Sequence, residues 1–425
     1  MAIPLLLVFF ALAAIGVPIA FAIAGAAIFV IWENGFPLLI IGQRVASGVL
    51  SFPLLAVPMF VLAGTLMNEA GISTRLFAFA SALIGKRRGG LAQVNVLASV
   101  FLAGLSGSSL ADCASTTRVL VPEMIRRGYP PGFSVCVTAS SALLGPIIPP
   151  SIVMVIYGWQ AEVSIGGLFV AGILPGLLIA GCLMATVWVM SRILALPEGQ
   201  EFSLAVLGHE FIRSFWALLL PVIIILGFRF GVVTPTEIGA IAVAYTLFIG
   251  FVVYRSLDWR ALPRILATSS RDTGAILMII AASALFGWTL TIARVPQLLL
   301  ELIIGISNDP TIVLLIIVGL LIVIGMFMEG TAVLIIMVPI LLPLLKALNI
   351  NLIHFGIVMI FAILIAEVTP PVGLMMYTAC GISRTPIGVF VRAIWPFLIA
   401  LLLALGLLTV IPEISLLLPQ LFGFK

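Results

Sequence analysis

Long apolar runs separated by short polar turns make up nearly the whole chain, and two of those runs are interrupted in the middle. A membrane-crossing helix needs about 20 apolar residues. Residues 4–32 and 45–67 meet that length, and a shorter apolar segment follows at 74–84. Between 91 and 125 the pattern changes. Residues 91–105 are apolar but short, 106–117 are small and polar, and 119–125 are apolar again. Neither arm crosses alone, which predicts a re-entrant helical hairpin. The tip of such a hairpin can lose helical hydrogen bonds only where protein or a wet cavity surrounds it. Residues 133–158 would form one span but for Gly145-Pro146-Ile147-Ile148-Pro149-Pro150-Ser151. Three prolines there remove backbone donors, so two half-helices joined by unwound backbone are expected. A full span at 165–193 then leads into the most polar stretch, 197–213.

The second half repeats this order. Spans are expected near 215–230 and 238–254, then segments at 274–292 and 296–306. Hairpin arms follow at 312–327 and 332–345, then a span over 355–377 broken at Thr369-Pro370-Pro371, and a final span at 389–411. One constant offset relates the halves. Adding 221 takes Gly104 to Gly325, Pro122 to Pro343, Pro149-Pro150 to Pro370-Pro371, Phe169 to Phe390 and Pro175 to Pro396. That is an internal duplication, and paired broken segments in two halves mark the binding site of a transporter. The first hairpin closes on Arg126 and Arg127, the second on Lys346 alone. Basic loops favour the cytoplasm, so the asymmetry predicts two copies of opposite orientation.

Composition sharpens this to one class. Of 425 residues, 63% are hydrophobic and 8% charged, and the mean hydropathy is +1.35. A soluble domain carries roughly 25% charged residues, so the chain reads as an all-α polytopic membrane protein with roughly ten to thirteen crossings, some incomplete. The first run has no basic segment before it and is too long for a signal sequence, so an uncleaved first span is expected. The net charge of +4 reflects loop Lys and Arg, densest at Lys86-Arg87-Arg88, and nothing resembles a nucleic-acid patch. Cys113, Cys136, Cys182 and Cys380 show no metal spacing and read as small packing residues.

Where hairpin tips meet broken helices, carbonyls and hydroxyls converge without a dense set of charges, a setting that suits sodium. The first copy offers Ser106, Ser108 and the carbonyls of Gly145, Ile148 and Pro150; the second offers Gly325 and Thr369, with the carbonyls of Ala366 and Pro371. Small residues there could instead serve close helix packing. Half-helix N-termini favour an anion, which places a substrate carboxylate near Ser108 and Ser109. Charges inside apolar segments are expensive and usually functional; here they are Asp112, Arg118, Arg294, Glu329 and Glu367. Arg294 could clamp a carboxylate or snorkel to the interface, Glu329 sits at the second tip, and Asp112 could cap the hairpin's second arm.

With Gly104-Leu105-Ser106-Gly107-Ser108-Ser109-Leu110-Ala111-Asp112, Gly145–151 and Glu367-Val368-Thr369-Pro370-Pro371-Val372-Gly373 in view, the chain resembles the large membrane subunit of tripartite ATP-independent periplasmic (TRAP) transporters, the dicarboxylate- and sialic-acid-type permeases. The likeness covers essentially the whole chain. It implies a bacterial inner-membrane protein, not an enzyme, with two inverted repeats and an elevator-type motion. The expected partners are a small four-helix membrane subunit, a periplasmic substrate-binding protein, lipid and a small carboxylate, with two or more coupling Na+ ions. By that likeness residues 91–190 and 312–412 are the transport domain, 1–90 and 191–311 the scaffold, and 413–425 a C-terminal tail. The family's sodium positions fall on Ser106, Ser108, Gly145, Ile148 and Pro150, and on Gly325 and Thr369. A functional arginine and acidic residue would correspond to Arg294 and Glu329.

A stand-alone sodium–anion symporter needing no binding protein is the alternative within transport. An intramembrane serine protease would use Gly104-Leu105-Ser106-Gly107, but that chemistry needs a base beside the serine, and neither His209 nor His354 falls mid-span. A passive channel does not need two facing hairpins. Opposite orientation of the copies is directly measurable: cysteines introduced at positions 128 and 349 are expected to react with an impermeant maleimide from opposite faces of the membrane, and labelling of both from one face contradicts it.

Overall fold

The computed structural model describes residues 1–199, 203–229 and 233–424, and the side chains of Leu105, Ser106 and Arg229 lie outside that description. Among the described residues there are 21 α-helices and no β-strand. Helices α1 (Ala2–Ala14) and α2 (Ile19–Glu33) divide the run expected as a single span at 4–32. Pro18 removes an amide donor there, Gly16 takes φ +85°, and the two helices fold onto each other. Next come α3 (Leu39–Val49), α4 (Ala56–Glu69) and α5 (Ile72–Ile84). The first hairpin is α6 (Gly90–Ser106) and α7 (Ser109–Arg126), so its turn is only Gly107 and Ser108. The polar stretch 106–117 is therefore mostly helix rather than tip. Its Asp112, Thr116 and Thr117 are buried in protein, where polar side chains do not meet lipid. The broken span is α8 (Pro131–Ala142) and α9 (Ile152–Ala161), and α10 (Ile165–Ile193) is the full span that its apolar run predicts.

The second half holds α11 (Leu204–Arg229), α12 (Pro235–Phe248), the long α13 (Leu262–Ile292) and α14 (Val295–Ile304). The second hairpin is α15 (Pro310–Gly325) and α16 (Gly330–Ala347), followed by the broken pair α17 (Leu352–Val368) and α18 (Leu374–Ser383). This break is narrower than the first, because Ala366 is still helical. The final run is not one straight span. It divides into α19 (Ile387–Ala393) and α20 (Trp395–Val410), bent by 53°. The expected tail is itself a helix, α21 (Glu413–Leu421), lying on α10. Among the described residues, six helices are long and apolar enough to cross a membrane alone, or up to seven with the bent pair. That is fewer than the ten to thirteen read from hydropathy, since many apolar runs are divided into helices of 10–17 residues.

The two copies are built into each other. The first arm of each hairpin packs on its own repeat's broken span, α6 on α8 and α15 on α17. The second arms reach both repeats, α7 packing on α8 and on α18, and α16 on α17 and on α9. Polar side chains tie these layers: Tyr157 of α9 donates to the Leu352 carbonyl at 2.6 Å, and Gln160 to that of Ile335 at 2.9 Å. Behind the first hairpin, Asn95 donates to Thr138 at 2.6 Å and accepts from Ser141 at 3.0 Å, while Ser99 donates to Ser141 at 3.0 Å. All four are buried, and such mutual bonding is what makes burial of polar groups tolerable.

The basic loops meet at one end of the molecule. Gly89 N donates to the Pro197 carbonyl and Gly199 N to that of Arg87, both at 2.9 Å. Tyr129, beside the second basic turn, accepts from Leu91 N at 3.2 Å. Both basic loops thus share a face with the polar stretch after α10, as one topology signal requires. The contact between the broken spans is tight enough to test. A methyl added at Gly356 in α17 would overlap the Tyr157 ring, whereas Gly381 faces open space. Gly356→Ala is expected to cost about 1–3 kcal/mol and to lower the melting temperature of the purified protein, with Gly381→Ala near neutral; equal effects contradict the packing.

Candidate functional site

Prolines decide where the main chain opens. Each proline withholds the amide that would serve the carbonyl four residues earlier, so the helix stops at Ala142 before Pro146, and at Val368 before Pro370 and Pro371. Both Pro149-Pro150 and Pro370-Pro371 bonds are cis. Among the described residues, the carbonyls of Gly145, Ile148 and Pro150 accept no hydrogen bond, and Gly145 and Pro150 are buried. In the second copy the Ala366 carbonyl keeps a partner, accepting from Thr369 N at 3.1 Å, and the Thr369 hydroxyl donates to Ile365 O at 2.7 Å. Pro371 is exposed.

Each hairpin tip sits on the break of its own repeat. Gly107 turns the first tip with φ +60°, and a Cβ there would lie 2.9 Å from the Pro150 carbonyl oxygen, so the left-handed turn and the close approach both call for glycine. At the second break Gly373 N donates to Met326 O in the tip, at 3.3 Å. The tips present helix N-termini to one another. Ser108 caps α7, accepting from Ala111 N at 3.4 Å, and Glu329 caps α16, accepting from Ala332 N at 2.9 Å.

Between the tips lies a cavity of about 70 Å³ lined by Ser108, Ser109, Pro146, Glu329, Thr331 and Glu367, among others. Ile276 of α13 closes it from outside the repeats. Glu367 bridges the tips: one carboxylate oxygen accepts from Gly330 N at 3.2 Å, the other from the Ser109 hydroxyl at 3.1 Å. A carboxylate and a glycine also meet in the first copy, with the roles of hairpin and broken span exchanged. A Cβ on Gly145 would sit 2.5 Å from Asp112 Oδ2.

The structure therefore brings together Ser108, Ser109 and Glu329, and sets Gly145, Ile148 and Pro150 beside the first tip. Gly325 lies against Ala366 beside the second, where a Cβ on Gly325 would reach the Ala366 Cβ at 2.7 Å. Ser106 ends α6 next to this group, but its side chain lies outside the described residues. Two arginines lie elsewhere. Arg294 is exposed, between α13 and α14, and the end of α13 is 16 residues beyond Ile276, roughly 24 Å along the axis. Arg118 is on the exposed side of α7, nine residues or roughly 14 Å past Ser109. Of the polar side chains lining the cavity, Thr331 has no signal in the sequence, and Glu367 stands there as a candidate charge without a place in the site. For Glu367 the signal was present, as the one charge in an otherwise apolar α17.

The family model for the tripartite ATP-independent periplasmic transporter, DctM component, matches residues 6–414. The 2,3-diketo-L-gulonate TRAP transporter large permease protein YiaN of Escherichia coli K12 is 37% identical over 406 residues, covering 95% of each chain. The sialic acid TRAP transporter large permease protein SiaM of Vibrio cholerae is 37% identical over 412 residues, covering 96% of each. Among solved structures, the YdaH transporter of Alcanivorax borkumensis superimposes with a TM-score of 0.65 at 16% identity, over 88% of each chain. That distance in sequence makes it a likeness of fold alone.

The contact between Asp112 and Gly145 has a direct test. Gly145→Ala should destabilise the purified protein by about 1–3 kcal/mol, and by less when Asp112→Ala is present as well. Strictly additive losses would mean that the two positions do not touch.

Proposed function

The chain belongs to the DctM family of TRAP transporter components and is a multi-pass protein of the bacterial inner membrane, and from that premise we propose that it imports a carboxylate with the help of sodium ions. The cavity between the hairpin tips is the observation that carries this reading. Two helix N-termini face it, and such ends favour a negative group. The small polar groups Ser108, Ser109 and Thr331 line it and suit the oxygens of an organic acid. Both relatives above are named for acids that carry a carboxylate, 2,3-diketo-L-gulonate and sialic acid.

Sodium binds beside the tips. Unserved carbonyls of Gly145, Ile148 and Pro150, with the Ser106 and Ser108 hydroxyls, make the first site; Gly325, Thr369, Ala366 and Pro371 supply the second. Unwound half-helix ends coordinate cations in this way in transporters. A cation at each break offsets the charge of an arriving carboxylate in a cavity that already contains Glu329 and Glu367. Ser108 and Ser109 contact the carboxylate, Glu329 holds the second tip in shape, and Arg118 and Arg294 act on approach or release rather than in the cavity itself.

Residues 91–190 and 312–412 move as a transport domain against a scaffold of 1–90 and 191–311, in an elevator motion. The reciprocal contacts of α7 with α18 and of α16 with α9 support movement of both repeats as one body. A small membrane subunit and a periplasmic binding protein complete the machine and deliver the substrate.

The reading is tested in proteoliposomes containing the reconstituted complex. Uptake should require an inward sodium gradient, and Thr369→Ala should raise the sodium concentration for half-maximal uptake roughly tenfold, or about 1.4 kcal/mol, with substrate capture by the binding protein unchanged. Uptake indifferent to sodium contradicts the reading.

A further inference from the structure

The donors that a substrate carboxylate would use are already engaged by a carboxylate of the chain itself. Glu367 stands in the last turn of α17, two residues before the break, and is 2% exposed. Its two oxygens reach two different elements. One accepts from Gly330 N, the first residue of α16, and the other from Ser109 Oγ, the first residue of α7. A third element thereby joins both N-termini through a single side chain. Glu329 plays no such part, because the bond it makes caps its own helix. A Cβ on Gly330 would lie 2.5 Å from Glu367 Oε1, so the approach of this oxygen depends on the missing side chain. Among the described residues, no lysine or arginine lines the cavity. Hydrogen bonds from the tips are what offset the burial of this carboxylate.

We propose that Glu367 is a tethered stand-in for the substrate's carboxylate, and so a specificity-determining residue of the site. It rests on the reading that the cargo is a carboxylate. In the empty site Glu367 holds the two tips together. An incoming carboxylate takes the Ser109 and Gly330 donors from it, and the displaced Glu367 then shares a small cavity with a second negative charge. Like charges at that range repel strongly, so carboxylate entry favours simultaneous entry of a cation. Coupling then follows from the presence of Glu367, and a neutral ligand, unable to replace a carboxylate on both donors, is refused.

The experiment uses the reconstituted complex with succinate, N-acetylneuraminate and 2,3-diketo-L-gulonate as radiolabelled probes. Failure of the wild type with all three removes the carboxylate reading beneath the proposal. With a transported probe in hand, Glu367→Gln is expected to lower its KM at least about threefold and to flatten the dependence of uptake on sodium. Glu367→Asp, one methylene shorter and unable to span both tips, is expected to shift KM in the same direction and serves if the glutamine variant does not reach the membrane. A KM raised by either variant would make Glu367 a direct contact of cargo or cation and overturns the proposal. So does a lowered melting temperature with KM and sodium dependence unchanged.

Discussion

A peptide group released from a helix at membrane depth must find its partner within the protein, and this requirement organises the molecule. Two breaks, at residues 143–151 and 369–373, leave main chain without helical bonds. Each is covered by the hairpin of its own repeat, through Gly107 against Pro150 and through Gly373 to Met326. The second arms, which pack on the broken spans of both repeats, then bury most of the first break, while Pro371 and Val372 of the second stay exposed. Helices outside the two repeats need only close what remains, as Ile276 of α13 does at the cavity.

Electrostatics follow from that enclosure. Helix ends that meet in a closed space present donors with no intrahelical acceptor, and the chain answers them with its own oxygens: Ser108 and Glu329 as caps, Glu367 across both tips. The tip donors therefore already meet acceptors supplied by the chain. The carbonyls of Gly145, Ile148 and Pro150 in the first break, unlike the tip donors, have no such internal answer among the described residues. Helix-end donors and unserved carbonyl oxygens thus lie side by side, the arrangement that the proposed joint uptake of a carboxylate and sodium would use.

Much of this is legible in the sequence, because prolines and glycines state their backbone consequences locally. Pro149-Pro150 and Pro370-Pro371 at one offset located both breaks, and the short apolar arms located both hairpins. Other features depended on what surrounds a residue. The stretch 106–117 looked like a loop by polarity, yet Asp112, Thr116 and Thr117 face protein and stay helical. Ala366 looked unwound by analogy with Gly145, but Thr369 N still reaches its carbonyl. Residues 4–32 have the length of one span, yet Gly16 and Pro18 divide them into two helices. The charge of Arg294 suits a carboxylate clamp or an interface snorkel alike, and only the length of α13 shows how far along the molecule it stands. The bridging part of Glu367 required Ser109, 258 residues away in sequence, and no local pattern could supply that.

Amide exchange over the two breaks, followed by mass spectrometry on the purified protein in sodium and in potassium buffers, tests the central claim most directly. If the unwound main chain is where the coupling cation sits, sodium will slow exchange in peptides covering 143–151 and 369–373 and leave the outer helices unchanged. Identical exchange in the two buffers at both breaks would contradict the account.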